Sequence, residues 1–145
     1  MKLVKIVSLI ALTSILTAPG FADEKSAIAK IEALGGRVLY IAKDSKEYSV
    51  TITKNSFGGK KEFTAVDAKV LAELNNAVEI SFQHPDATDD WVAPIKSLKG
   101  LKKLHLEKTK VTDKALDAVA GLSNLEYLNV YKTGISDAGL DKLKN

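Results

Sequence analysis

The sequence predicts an α/β fold in which short parallel strands and short helices alternate along a stacked array, closed at its N-terminal end by an α+β cap. Three observations predict it. The last part of the chain repeats itself at a fixed interval, the one that separates Leu98 from Leu122. Within each copy the apolar spacing changes from two, which suits a strand, to three and four, which suits a helix. The block ahead of the first copy lacks the interval but has apolar residues throughout, which a disordered segment does not.

Displacing the chain against itself by that interval pairs Leu98 with Leu122, Leu101 with Leu125, Leu104 with Leu128, Leu106 with Val130, Thr109 with Thr133, Val111 with Ile135, Asp113 with Asp137 and Leu116 with Leu140. One more step back gives Leu74, Ala77, Ile80, Phe82, Pro85, Ala87, Asp89, Val92 and Ile95, a weaker copy that keeps the apolar positions. The units are therefore residues 74–97, 98–121 and 122–145. In "LKKLHLEK" Leu104 and Leu106 stand two apart, so on a strand both point inward while Lys103, His105 and Glu107 point outward. In "TDKALDAVAGL" Leu116, Val119 and Ala120 follow a helical step and form one apolar stripe. One such unit cannot cover its own two flanks, and stacking copies covers them.

The last two units read L-x-x-L-x-x-L-x-L-x-x-T-x-[VI]-[TS]-D-x-x-L. On these residues the chain resembles the leucine-rich repeat family, most of all the secreted bacterial repeats ending in VTDxGL, a cysteine-containing-like subtype with threonine in the cysteine's place. The resemblance covers about half of the chain. It implies a curved solenoid with parallel strands on the concave side and helices on the convex side. It also implies protein–protein interaction through the concave face as the family's usual work.

Thr88, Thr112 and Ser136 are each followed by an aspartate, Asp89, Asp113 and Asp137. Such residues are expected to accept from free amides at the start of their own helix and to meet the positive end of its dipole. Metal binding by these aspartates is the alternative, and one carboxylate per helix is what a cap needs. Thr109 and Thr133 fall at the inward turn after the strand, where a hydroxyl can bond neighbouring backbone. Pro85 replaces that threonine in the first unit and offers neither hydroxyl nor N–H. Trp91, the one tryptophan, is expected in the core.

At the N-terminus, Lys2 and Lys5 precede an apolar run from Ile6 to Leu16, then Pro19-Gly20 and the small Ala22. That layout is a secretory signal peptide over residues 1–22, too short in its apolar part for a membrane-spanning helix. A mature chain from Asp23, secreted or periplasmic and without stable membrane insertion, is the expectation. With no cysteine there is no disulfide, lipid-modified cysteine or thiolate metal site. Removing the leader takes two lysines and no acid, which leaves 19 basic against 18 acidic residues. That balance lacks the sustained positive face a nucleic acid needs, and Lys60-Lys61 and Lys102-Lys103 are expected to be solvated pairs.

Residues 23–73 are assigned as the N-terminal cap. "SAIAKIEAL" predicts an amphipathic helix closed by Gly35-Gly36, "RVLYIA" and "YSVTIT" predict a hairpin, and "TAVDAKVLAEL" predicts the helical half of a repeat running into Leu74. "IEALGGRV" is similar to a segment that precedes the first repeat in secreted bacterial members of the family. "FGGKK" lacks phosphate-loop spacing and is expected to be a turn.

In the register of the repeat the outward strand positions form rows: Glu79, Lys103 and Tyr127; Ser81, His105 and Asn129; Gln83, Glu107 and Tyr131; His84, Lys108 and Lys132. Glu79, Ser81, Gln83, Lys103, His105, Glu107, Tyr127, Asn129, Tyr131 and Lys132 make the candidate binding face. Its tyrosines supply contact area at small cost in side-chain freedom. Ser81 beside His105 suggests a hydrolase only remotely, because an orienting acid, an oxyanion site and a closed pocket are also required. His84, His105 and Glu107 could ligate zinc or copper, but the two histidines fall in rows that are not adjacent. The expectation is a non-enzymatic module with no cofactor and no metal, binding a protein partner of the envelope or exterior. Carbohydrate or cell-wall polymer on the same face is the alternative, and weak self-association through the C-terminal flank, or partner docking there, is expected because the last unit has no cover.

Overall fold

The structure, a computed structural model, describes residues 21–54 and 62–144. It is a mixed α/β fold built on one five-stranded sheet with the strands in chain order. The elements are α1 (Phe21–Ala33), β1 (Arg37–Tyr40), β2 (Tyr48–Thr53), a 3₁₀ turn at Asp67–Glu73, β3 (Ala77–Gln83), α2 (Asp89–Val92), β4 (Lys103–His105), α3 (Leu116–Val119), β5 (Tyr127–Asn129) and α4 (Asp137–Leu140). Strands β1 and β2 form the antiparallel hairpin expected of the two apolar runs, with Arg37 opposite Thr51 and Tyr40 opposite Tyr48.

The remaining pairs are parallel. Ile80 lies beside Leu104 and Leu104 beside Leu128, so equivalent residues of successive units are lateral neighbours. Ile80, Phe82, Leu104 and Leu106 are each 0% exposed. They share one core with Val92, Ile95, Leu116 and Val119 from the helical segments on the other side. Burying an aliphatic side chain of this size is worth about 1.5–3 kcal/mol, and this row supplies several.

Strand β2 joins the same sheet in parallel to β3, with Val50 beside Ile80 and Ile52 beside Phe82. The 48–73 segment is thus itself a strand followed by a helical turn, a longer unit than those that pair Ile80 with Leu104 and Leu104 with Leu128. The helical half expected before Leu74 is a 3₁₀ turn, with the Asp67 carboxylate accepting from the Thr64 N–H (3.1 Å) and hydroxyl (2.6 Å). Helix α1 begins at Phe21 and covers the junction between Ala22 and Asp23; the rest of the leader lies outside the described residues. The "FGGKK" turn and Lys60-Lys61 also lie outside them.

Glu24 ties α1 to the sheet. It is 6% exposed and accepts from the Tyr48 hydroxyl (2.6 Å), the Asn76 N–H (2.8 Å) and the Asn76 side-chain amide (2.7 Å). Burial first, and then this carboxylate, pushes the Tyr48 phenol well above its ordinary pKa, which keeps it a donor. Gly36 follows the helix where a Cβ would run into Ile31, so the close return of the chain onto α1 requires glycine. Trp91 is in the core as expected, against Phe63 and Phe82 at centroid distances of 5.1 and 6.4 Å.

The last unit is less covered than the one before it. Leu125, Leu128, Val130 and Ile135 are half-buried and Leu140 is 36% exposed, whereas their equivalents Leu101, Leu104, Leu106, Val111 and Leu116 are all 0% exposed. Leu104→Ala is therefore expected to destabilise by about 3 kcal/mol and Leu128→Ala by about 1 kcal/mol, measured by urea unfolding. Equal losses would contradict the open flank.

Candidate functional site: the open face of the sheet

The face opposite the core carries every second residue of the strands. Pairing sets Glu79 beside Lys103 and Lys103 beside Tyr127, and Ser81 beside His105 and His105 beside Asn129. The face extends further than the three repeat strands. Thr51 pairs with Ser81 and Ser49 with Glu79, and across the hairpin Leu39 pairs with Ser49 and Arg37 with Thr51. Sequence reasoning missed these positions, although the alternation in "YSVTIT" carried the signal.

His105 is at the centre of a polar cluster. Its Nε2 is 3.7 Å from Glu79 Oε1 and its Nδ1 is 3.8 Å from Glu107 Oε2. The Tyr127 ring lies 5.0 Å from the imidazole at a tilt of 39°. Glu107 Oε2 is buried and accepts no hydrogen bond among the described residues. Tyr127 and Tyr131 are 46% and 60% exposed, and Lys132 Nζ sits 5.3 Å from the Tyr131 ring centre. Lys103, Gln83 and Lys132 are exposed, and Asn129 is half-buried, its Oδ1 accepting from the Tyr131 N–H at 3.0 Å.

Ser81 belongs to the row by register but is 6% exposed, a short side chain on the middle strand of five. Among the described residues no hydrogen bond joins it to His105, whose two ring nitrogens face carboxylates instead. His84 is not on the face. It is 4% exposed and packs on Trp91 at a centroid distance of 4.8 Å and a tilt of 49°, on the core side of the sheet, so it shares no site with His105 and Glu107. Its Nδ1 accepts from the Asp86 N–H at 3.2 Å, while Nε2 has no partner among the described residues. The outward row expected from His84 to Lys132 therefore starts only at Lys108. Lys108 and Lys132 hold φ values of 59° and 54°, a left-handed turn made at the same place in successive units.

The aspartates that follow Thr88 and Thr112 do not cap their own helices. Asp89 accepts from the N–H (2.7 Å) and hydroxyl (2.8 Å) of Thr112, one unit on, and Asp113 accepts from the N–H and hydroxyl of Ser136, both at 2.7 Å. At α4 it is the Ser136 hydroxyl that acts as a cap, accepting from the Gly139 N–H at 3.2 Å. Two donors on one residue of the next unit compete successfully with the local amides because a carboxylate accepts them together. Gly139 permits this approach, since a Cβ there would collide with the Asp113 carboxylate. Thr109 and Thr133 hydroxyls donate to the carbonyls of Leu106 (2.6 Å) and Val130 (2.7 Å), the neighbouring-backbone bond expected of them.

No protein-family model and no curated protein matches the chain. Among solved structures it is similar to an internalin from Listeria monocytogenes, at 16% identity and a TM-score of 0.38, over 52% of this chain and 28% of that one. The chain thus spans little more than a quarter of that neighbour's length.

Two outcomes test these contacts. Asp113 is held below the ordinary carboxyl range by the Ser136 hydroxyl and then its N–H. Asp113→Ala should speed amide exchange at Ser136, while Asp137→Ala, which removes a carboxylate that binds no following unit among the described residues, should not; equal effects would sink the rung. For His84, burial outweighs the nearby Asp86 and Glu62 carboxylates and lowers the imidazole pKa. A folded pKa below the unfolded value of about 6.5 means that stability is complete above that pH and falls as the pH drops below it. His84→Asn keeps an acceptor and cannot be protonated, so its urea midpoint should change less than wild type between pH 7 and pH 5.

Proposed function

We propose that the chain is a short leucine-rich-repeat-type solenoid of the VTDxGL kind, capped by residues 23–73, that is exported and binds a protein partner of the cell envelope or exterior through its outward strand face. One observation carries the reading: the inward side chains are consumed by the core, while the other face of a hydrogen-bonded sheet presents Tyr127 and Tyr131 at 46% and 60% exposure beside His105, Glu79 and Glu107. Fixed aromatic rings amid hydrogen-bonding groups are what a protein contact anchors on. The module is non-enzymatic in this reading, with no cofactor. Secretion or a periplasmic location rests on the leader, and among the described residues no helix is long and apolar enough to cross a membrane.

The His105–Tyr127 pair flanked by two carboxylates supports a second reading, a sugar polymer stacked on the rings and hydrogen-bonded at its edge. A pull-down from envelope extract run beside binding to insoluble wall polymer separates the two. Tyr127→Ala and Tyr131→Ala should each weaken capture of the protein partner by about 1–2 kcal/mol with the urea midpoint little changed. Retention on polymer alone favours the second reading, and unchanged capture in both variants removes the strand face from the proposal.

A further inference from the structure

Strand β5 ends the sheet, and its backbone shows which groups are spoken for. The Tyr127 N–H donates to Lys102 (3.0 Å), and the carbonyls of Asn129 and Tyr131 accept from Leu106 and Lys108, both at 2.8 Å. These odd-numbered positions turn toward β4. Alternation along a strand then leaves the N–H and C=O of Leu128 and the N–H of Val130 on the open edge, while the Val130 carbonyl already accepts from the Thr133 hydroxyl at 2.7 Å.

The segment around that edge is self-complementary. A two-fold axis through Asn129 runs a second copy antiparallel to the first. It sets Leu128 opposite the second copy's Val130, so that the Val130 N–H meets the Leu128 carbonyl. Tyr127 then faces Tyr131, and Glu126 faces Lys132. Opposed residues on antiparallel strands share a face, so the apolar pair falls on the core side and the tyrosines fall on the outward side. Glu126 and Lys132 are exposed, and Lys132 lies just past the strand in its left-handed turn, where two long side chains can still meet. Moving the axis by one residue either way loses the match of Glu126 with Lys132. The half-buried Leu128, Val130 and Ile135 and the exposed Leu140 are the apolar surface such a pairing covers.

We propose that two copies of this chain pair antiparallel through β5 about Asn129, each supplying the N–H and C=O of its Leu128 and the N–H of its Val130, with the second lone pair of the Val130 carbonyl accepting beside the Thr133 hydroxyl, to form one continuous sheet. This inference goes beyond the recognition role of the strand face and stands whether or not that role holds.

The chain has no cysteine, so Asn129→Cys installs a single thiol on the two-fold axis. Residues opposed there form a non-hydrogen-bonded pair with Cα atoms about 4.5 Å apart, within disulfide range. Mild oxidation should link Asn129→Cys into a covalent dimer and leave Lys103→Cys, on the same face but one strand back from the edge, largely monomeric. Sedimentation equilibrium across a concentration series should show a dimer in the unmodified chain. Val130→Pro, which deletes an edge-facing N–H, should abolish it while the folded circular-dichroism signal persists. Glu126→Lys should weaken the dimer about five- to thirtyfold through two symmetry-related pairs, and adding Lys132→Glu should restore it. A strict monomer across the series overturns the proposal, as does a dimer indifferent to Val130→Pro. A dimer that forms without linking at Asn129→Cys, or that gains nothing from the double reversal, overturns the register.

Discussion

The fold depends on one geometric constraint: equivalent residues of successive units must stand side by side on parallel strands about 4.8 Å apart. A strand and a helical turn with one apolar side each cannot close a core alone. They can do so only if the next unit repeats the same side chains in the same phase, which is why Ile80, Leu104 and Leu128 form a row and why a slip of one residue would turn the row outward. The cost of the constraint is an open end wherever the repetition stops. At the N-terminal side β2 and α1 absorb that cost, and at the C-terminal side nothing among the described residues does.

Phase is held by polar contacts at the turns as well as by the apolar rows, whose packing is non-directional. Asp89 and Asp113 each take two bonds from a single residue of the following unit, and the Lys110 and Lys54 ammonium groups hold the Asp86 carboxylate from units on either side at 2.7 and 2.8 Å. The Lys110 bond, then that of Lys54, drives the Asp86 pKa far below the ordinary carboxylate range. Exposed ion pairs of this kind contribute little stability individually. Their value lies in direction: two bonds to one residue admit one register.

Much of this was legible in the sequence because a repeated unit announces its own neighbours. The strand rows, the hairpin and the buried Trp91 all follow from spacing and apolar character. A local rule for helix starts misassigns Asp89 and Asp113, because the residue each one binds lies 23 residues ahead, a distance only the stacked structure closes. The outward row drawn from His84 departs from alternation, which sets His84 on the core side after Ile80 and Phe82, where its imidazole packs on Trp91. The parallel pairing of β2 escapes notice because its step to β3, from Val50 to Ile80, is longer than the step from Ile80 to Leu104, and Val50 and Ile52 carry no leucine pattern to mark them. Glu24 gives no signal at all, since the two residues that supply its three donors lie 24 and 52 residues away.

The open face and the open edge meet in the same short strand. Tyr127 and Asn129 belong to the outward rows, while the backbone groups of Leu128 and Val130 belong to the edge. Pairing two copies about Asn129 would set the tyrosines of both, Tyr127 against Tyr131 twice over, at the middle of a face twice as wide. Each half would keep its own His105 cluster, 5.0 Å from its own Tyr127. A ligand with two equivalent contact points would then meet two sites at fixed separation, and the second contact would form at a high effective concentration without any new residue being needed. Association through the uncovered end would widen the outward face by the same contact that removes the exposed apolar flank.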